Sequence, residues 1–235
     1  MTGKKYWLFL GLILLQGIYS ISYSQDGFFK ETELEILEFP GETVYKLRSS
    51  GELLNGHFKI QRTLGGYYQS RFVNGKPDGK WEQFNSNNKL LKEVNRLNGV
   101  LHGKNITYHP GTDKISTEIH FSEGQMDGPY VKQTLDGVVL EQRTYKAGKL
   151  DGVEKEFYKD GTLQKMVTYR DGLKTGMYEE YNEKGRLKTK VNYLNDLKSG
   201  TEELYNRDGT LVARISYKEG KRTEHQNITA IRQVK

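Results

Sequence analysis

The sequence predicts an all-β fold, an elongated single-layer antiparallel β-meander built of about seven 24-residue β-hairpin repeats. Two observations predict this fold class. Paired glycines return every 24 or 25 residues, and aromatic residues recur at fixed distances from them. Because an ordinary globular domain does not keep such a period over about 170 residues, the chain is best understood as an array of similar units.

Each unit opens with a first glycine, and a second glycine follows four or five residues later. We expect these glycines to occupy turns, because glycine reaches positive φ at little steric cost. One first glycine is missing, and Asp196 takes its place. The structural turn glycines predicted in this way are Gly75, Gly79, Gly99, Gly103, Gly124, Gly128, Gly148, Gly152, Gly172, Gly176, Gly200 and Gly220.

Apolar residues two positions apart occur in each unit, which is typical of β-strands because their side chains alternate between faces. An aromatic residue lies three positions before most first glycines, and Arg96 interrupts this column. A second aromatic column lies five positions after the second glycine, and Gln61 and Gln133 interrupt it. Two strands per unit follow from these two columns.

Turn residues separate the two strands of a unit. Asp160-Gly161 and Asp208-Gly209 lie midway through their repeats, and Asp-Gly between two strand-like runs predicts a tight hairpin turn. The stretch between the paired glycines is expected to be a short polar loop. One repeat is therefore one β-hairpin, and hairpins of this size need their neighbours for stability.

Residues 1–24 have the parts of a secretory signal peptide. Lys4 and Lys5 give the segment a positive start, an apolar run follows, and the small residues Ser22 and Ser24 favour cleavage before Gln25. The protein is therefore expected to be exported, and to be periplasmic, at the cell surface or secreted. An uncleaved membrane anchor is the alternative, although the apolar run is short for a spanning helix. The chain has no cysteine, which excludes disulfides and lipid attachment through cysteine.

The remaining chain divides into three segments. Residues 25–49 lie outside the repeat and are expected to form an N-terminal cap, since arrays need their first edge covered. The repeat domain occupies residues 50–219, with seven repeats. Residues 220–235 are either a last edge strand or a loose basic tail.

The charge balance argues against nucleic acid as a partner. Lysine and arginine total 36 against 30 acidic residues, and removal of residues 1–24 leaves 34 basic residues and a net charge of +4. Both signs alternate along the repeats, so no basic patch of the kind that binds nucleic acid is expected. The hydrophobic content of 35% fits a sheet one layer thick.

No constellation of catalytic residues is recognisable. The five histidines lack the spacing of a helical zinc motif. Asp78, Asp127 and Asp151 recur with the repeat, and single carboxylates one repeat apart supply too few oxygens for a calcium ion. We therefore expect no catalytic residue, no metal site and no cofactor, and the protein is predicted not to be an enzyme.

The aromatic columns are the candidate binding surface. Cross-strand packing within the sheet is the alternative role for each ring. A one-layer sheet cannot hide both of its faces, so an exposed tyrosine-rich strip suits contacts with proteins or glycans. The residues of this candidate strip are Phe72, Trp81, Phe84, Tyr108, Phe121, Tyr145, Phe157, Tyr169, Tyr181, Tyr193, Tyr205 and Tyr217.

The repeated phrase, best seen in GKLDGVEKEFYKDGTLQKMVTYRDG from Gly148 to Gly172, resembles the MORN repeat family in its bacterial variant form. The resemblance covers roughly 170 residues and is specific because the phrase returns. It implies a scaffold or binding role, and contact with membrane phospholipid for eukaryotic members. Bacterial arrays of this form are often labelled antitoxin components of toxin–antitoxin systems.

These observations predict an exported, non-enzymatic protein-binding or scaffold module of bacterial origin. Its partner is expected to be another protein, with a membrane surface as a further possibility. One alternative is an antitoxin-like protein that neutralises a toxin by binding it. Another is a module associated with membrane phospholipid, although mixed charges give little attraction to anionic lipid.

Overall fold

The computed structural model describes residues 27–39 and 41–228. The predicted signal peptide and its cleavage site before Gln25 lie outside these residues. The described part is all-β, with one short 3-10 helix, Glu31–Glu33. No helix in this part is long and apolar enough to cross a membrane.

Twenty strands form the described structure, and the shortest of them continue a neighbour across a single interrupting residue. They are β1 (Gly27–Lys30), β2 (Leu34–Phe39), β3 (Glu42–Leu47), β4 (Gly56–Gln61), β5 (Tyr67–Val73), β6 (Lys76–Phe84), β7 (Leu90–Leu97), β8 (Val100–Leu101), β9 (Gly103–Tyr108), β10 (Ile115–Ser122), β11 (Gln125–Gln133), β12 (Val139–Lys146), β13 (Lys149–Leu150), β14 (Gly152–Phe157), β15 (Leu163–Arg170), β16 (Leu173–Tyr181), β17 (Leu187–Leu194), β18 (Leu197–Tyr205), β19 (Leu211–Lys218) and β20 (Lys221–Asn227).

Strands β4 to β20 form one antiparallel meander in which each strand pairs with the next along the chain. β8 and β9 together act as one strand between β7 and β10, and β13 and β14 do the same between β12 and β15. The sheet does not close on itself. The predicted fold class, an elongated β-meander of hairpin repeats, is confirmed.

The tight turn of the array lies at the first glycine, which differs from our expectation. Asp171 and Gly172 both have positive φ, 52° and 86°, and they alone join β15 to β16. Two residues with positive φ make the turn whose twist matches paired strands. The Asp160-Gly161 pair instead belongs to a five-residue loop between β14 and β15, where only the glycine has positive φ.

The stretch between paired glycines is also strand rather than the polar loop that we predicted. In β13, Lys149 pairs with Lys146 and Leu150 pairs with Tyr145. Asp151 interrupts the strand for one residue, and Gly152 resumes it with φ of 129°. The paired glycines therefore mark a turn and a local irregularity within one continuous path of the chain.

The second glycine of a repeat faces the aromatic residue that closes the same repeat. Gly152 lies across from Tyr169, and Gly176 lies across from Tyr193. A residue with a Cβ at either position would approach a threonine, since the added atom would lie 3.1 Å from Thr144 or 3.6 Å from Thr168. A glycine at this place therefore avoids a close contact with the threonine of the neighbouring strand.

Successive turns are tied together by a hydrogen bond that repeats along the array. The backbone N–H of Asn98 donates to Asp78 at 2.9 Å, and that of Ala147 donates to Asp127 at 3.1 Å. The N–H of Gly148 also donates to the carbonyl of Met126, one repeat earlier, at 2.8 Å. Each turn is therefore held by the preceding one, as expected when stability comes from neighbouring units.

The N-terminal segment adds a second layer at one end of the sheet. β1 pairs in parallel with β4, and the β2–β3 hairpin forms a separate two-stranded sheet. The N–H of Tyr45 in this hairpin donates to the carbonyl of Gly75 at 2.8 Å. Its ring lies 5.0 Å from that of Phe72. The buried core formed here consists of Leu34, Tyr45, Leu54, Phe58, Ile60, Tyr68 and Phe72.

We predict that replacing Gly152 or Gly176 with valine destabilises the protein by about 1 kcal/mol or more. Both positions have positive φ, 129° and 100°, and a β-branched side chain is strained there. Thermal and urea unfolding would measure the change. Thr201→Val is the control, because Thr201 is an exposed strand residue whose φ is not positive. Melting temperatures of both valine variants equal to wild type would contradict this explanation of the glycines.

Candidate binding surface

Strand pairing assigns every side chain of the meander to one of two faces. Residues that pair across antiparallel strands share a face, and the next residue along each strand lies on the other face. We call the face covered by the β2–β3 hairpin the cap-side face. Its central row runs through Phe58, Ser70, Trp81 and Val94 in the first strands. It continues to Val167 and beyond in later strands.

The twelve residues of the predicted strip divide between the two faces, so the structure does not bring them together as one surface. The register of the pairs and the alternation along each strand give this division. Those on the cap-side face are Phe72, Trp81, Phe121, Tyr145, Tyr169, Tyr193 and Tyr217. Those on the opposite face are Phe84, Tyr108, Phe157, Tyr181 and Tyr205.

Two members of the strip are occupied by the N-terminal core. The side chain of Phe72 is only 1% exposed and packs against Tyr45 and Phe58. Trp81 stacks on Tyr68 with ring centroids 5.4 Å apart. Phe72 is therefore unavailable to a separate partner, and the half-buried Trp81 packs against the core beneath the cap hairpin.

The three tyrosines of the predicted strip that lie on the opposite face donate hydrogen bonds to carboxylates, and the acceptor of Tyr108 is Glu93 on a neighbouring strand. Tyr181 donates to Glu179 at 2.7 Å, and Tyr205 donates to Glu203 at 2.8 Å. Burial, and then the hydrogen bond to Glu179, raises the pKa of Tyr181 to about 12. Glu203 also accepts a hydrogen bond from Arg214 at 3.2 Å. The hydroxyls of Tyr181 and Tyr205 are therefore already hydrogen-bonded to carboxylates.

The cap-side face carries an ion network in the middle of the array. Arg143 donates to Glu154 at 2.6 Å, and it contacts Glu141 at 2.8 Å. Lys165 donates to Glu156 at 2.6 Å. Glu154 is only 5% exposed although no second layer covers it among the described residues. Flanking side chains of the same sheet therefore bury it.

The network sets the protonation of Glu154. Burial by itself would raise the pKa of this carboxyl, but the hydrogen bond from Arg143 and the charge of Lys165 together lower it below the usual value. The carboxylate is therefore ionised at neutral pH and satisfied by two cations. A buried carboxylate held in this way acts in structure, since its lone pairs are already used.

We predict that Glu154→Gln destabilises the protein at pH 7 by about 1–3 kcal/mol, because Arg143 loses a charged partner. The lowered pKa means that Glu154 contributes stability above the unfolded carboxyl pKa and loses it as the pH falls through the folded value. The difference in unfolding free energy between wild type and the Glu154→Gln variant should therefore shrink as the pH falls below 4.5. Unfolding curves measured at several pH values test this, with exposed Glu183→Gln as control. A difference independent of pH would contradict the assignment.

The later part of the cap-side face combines tyrosine rings with cations. Lys174 lies 5.4 Å from the ring of Tyr193 and 6.0 Å from that of Tyr178. Lys198 lies 5.0 Å from the ring of Tyr217. The hydroxyls of Tyr193 and Tyr217 have no hydrogen-bond partner among the residues described, unlike those of Tyr181 and Tyr205. The hydroxyls of Tyr193 and Tyr217 are thus available for contact, whereas that of Tyr178 donates to Glu180 at 3.2 Å.

Elsewhere, the described residues show no arrangement typical of a catalytic or metal site. No group of three histidine, cysteine, aspartate or glutamate side chains in residues 27–39 and 41–228 is arranged to hold a metal ion. An open depression of about 600 Å³ lies on the opposite face near the N-terminal end. Polar side chains that line this depression hydrogen-bond to each other, and Gln69 donates to Glu82 at 2.8 Å.

Two segments of the chain, residues 77–98 and 150–171, match the family model described as the MORN repeat variant. Each segment starts two residues after a first glycine and ends one residue before the next. These two matches confirm the predicted resemblance to the MORN repeat family. MORN repeats are generally protein- or membrane-binding modules and are not generally catalytic. A search of curated proteins found no significant match.

The predicted strip missed the cations Lys174, Lys198 and Arg222. They lie 24 residues apart and two positions after each first-glycine position, so the sequence period contains the signal. Their place beside the tyrosines depends on the strand register at the tight turns, which pairs Tyr169 with Lys174 and Tyr193 with Lys198. An aromatic search alone does not find them.

Proposed function

We propose that this protein is an exported, non-enzymatic binding module that holds another protein on its cap-side face. One observation carries the choice of face. The chain's own β2–β3 hairpin already packs there, and it buries Leu34 and Tyr45 against β4 to β6. The array thus has one surface on which a folded-back polypeptide is stably seated, and the later repeats extend the same surface.

The opposite face supports this choice by contrast. Tyr181 and Tyr205 there are hydrogen-bonded to Glu179 and Glu203, and a partner would have to break these contacts or leave charges desolvated. On the cap-side face, Tyr193 and Tyr217 offer half-buried rings with unused hydroxyls. Tyrosine with one apolar and one polar side is enriched in protein interfaces.

Export is the second part of the proposal, and the N-terminal sequence supports it. Residues 1–24 combine a basic start, an apolar run and small residues before Gln25. A module exported in this way works in the periplasm, at the cell surface or outside the cell. If its partner is a toxin, the same binding makes the protein an antitoxin-like neutraliser, the role implied by the family label.

A membrane-associated role is the second candidate, and a specific feature favours it. Leu173, Leu194 and Leu197 lie on neighbouring strands at the edge formed by the tight turns, and Leu194 is 58% exposed. Arg170 and Lys218 flank these leucines in the same row. Exposed apolar side chains bordered by cations are suited to the surface of an anionic bilayer.

We predict that a photoreactive phenylalanine analogue at position 193 crosslinks to a protein partner in the native cell envelope. The same analogue at position 205, on the opposite face, is the matched control and should give no such product. Gel shift and mass spectrometry would identify the adduct. Crosslinking at position 205 and none at position 193 would contradict the choice of face.

The membrane candidate predicts a different result. The protein should then sediment with vesicles of phosphatidylcholine and phosphatidylglycerol. The double variant Leu194→Ser, Leu197→Ser should abolish this co-sedimentation. Under the protein-binding proposal, these changes leave the crosslink at position 193 intact. The two candidates are thus separated by variants on different faces of one sheet.

A further inference from the structure

One column of residues on the cap-side face changes from apolar to basic side chains along the array. From the second repeat onward it contains the residue two positions after each first-glycine position, and it is apolar in the earlier repeats and basic in the last ones. Each member lies across from the closing residue of the preceding repeat. The members in order are Pro77, Leu101, Met126, Leu150, Lys174, Lys198 and Arg222.

The aromatic partners of this column change with it. Phe121 pairs with Met126 and Tyr145 pairs with Leu150, so this part of the row is apolar. From Tyr169 onward every closing residue is tyrosine and every partner is a cation. The row is therefore a half-buried apolar stretch that continues into an alternation of tyrosine and positive charge.

Two of the three cations lack a carboxylate partner among the residues that the structure describes. Lys174 is held only between the rings of Tyr178 and Tyr193, and Arg222 on β20 is exposed. Lys198 pairs with the buried Glu202 at 2.5 Å. The nearby Asp196 accepts a backbone N–H, that of Lys174, at 2.8 Å. The basic part of the row thus has a cation without a carboxylate partner at each end, Lys174 at one and Arg222 at the other, with tyrosines between them.

The spacing of these cations indicates the shape of the ligand. Successive cations lie two strands apart, which is roughly 9.6 Å. Three residues of a polyproline-II segment span about 9.3 Å and bring the side chain back to the same side. A segment lying across the strands would therefore meet one cation with every third side chain.

We propose that the cap-side face binds an extended peptide segment that carries apolar side chains followed by acidic side chains at every third position. The apolar part lies over Phe121, Met126 and Leu150, and the acidic side chains meet Lys174, Lys198 and Arg222. This inference rests on the proposed protein-binding function and names the chemistry of its partner. A polypeptide supplies apolar and acidic groups in one segment, whereas a bilayer would first meet the exposed leucines at the turn edge.

The test uses the protein without residues 1–24, which are predicted to be removed, and a fluorescent synthetic peptide. The peptide has six leucine or proline residues followed by nine residues with glutamate at every third position. Fluorescence anisotropy should show binding that weakens as salt rises from 50 to 500 mM, since the exposed ion pairs are screened. A peptide of the same composition with its three glutamates adjacent is expected to bind about fivefold more weakly, because it can pair with fewer cations at once.

Variants locate the site. Lys174→Gln with Arg222→Gln should weaken binding of the spaced peptide about fivefold or more through loss of two ion pairs. Arg170→Gln with Lys221→Gln removes the same charge from the opposite face and should leave the affinity unchanged. Lys198 is kept, because its loss would leave the buried Glu202 without a cation. Circular dichroism melts show whether each variant is folded.

Several results would overturn the inference. They are no binding of either peptide, equal binding of both, or equal loss with the two charge variants. Binding of anionic vesicles that the Lys174 and Arg222 changes abolish, without peptide binding, would assign the row to lipid. In each of these cases, a crosslink to a protein at position 193 would still support the proposed function. Failure of the peptide inference can therefore be distinguished from failure of the proposed function.

Discussion

Burial within a single sheet layer is the constraint on which the rest of this structure depends. Beyond the β2–β3 hairpin, a side chain is covered only by neighbours on its own face. Val167 and Val191 are nevertheless almost fully buried, because tyrosines and long charged side chains surround them. The array therefore depends on large rings and paired charges in most repeats, with glycines opposite most of the closing rings. Its high tyrosine and glycine content follows from this requirement.

The same constraint explains what could be predicted from the sequence. The period of the glycines and rings revealed the hairpin unit, since one unit must repeat if each is stabilised by the next. The kind of turn was harder to assign. Asp160-Gly161 has the composition of a two-residue hairpin turn, yet the tight turn is Asp171-Gly172. Both pairs permit positive φ, and only strand pairing on either side distinguishes them.

The candidate surface was only partly predictable for a related reason. A column of rings identifies strands, but its face depends on register, and one residue of offset moves a side chain to the other side. Tyr193 and Tyr205 belong to neighbouring columns of the same array and point to opposite faces. The second layer over Phe72 depends on contacts of the β2–β3 hairpin that are distant in sequence. No local pattern contains them.

The proposed contact surface is the cap-side face of the later repeats. Hydroxyl-radical footprinting tests it most directly, because it reports the solvent exposure of all tyrosines at once. The reactivity of Tyr145, Tyr193 and Tyr217 should fall in the native cell envelope relative to the purified protein, while that of Tyr181 and Tyr205 should not change. Protection of Tyr181 and Tyr205 alone, or of no tyrosine, would contradict the claim.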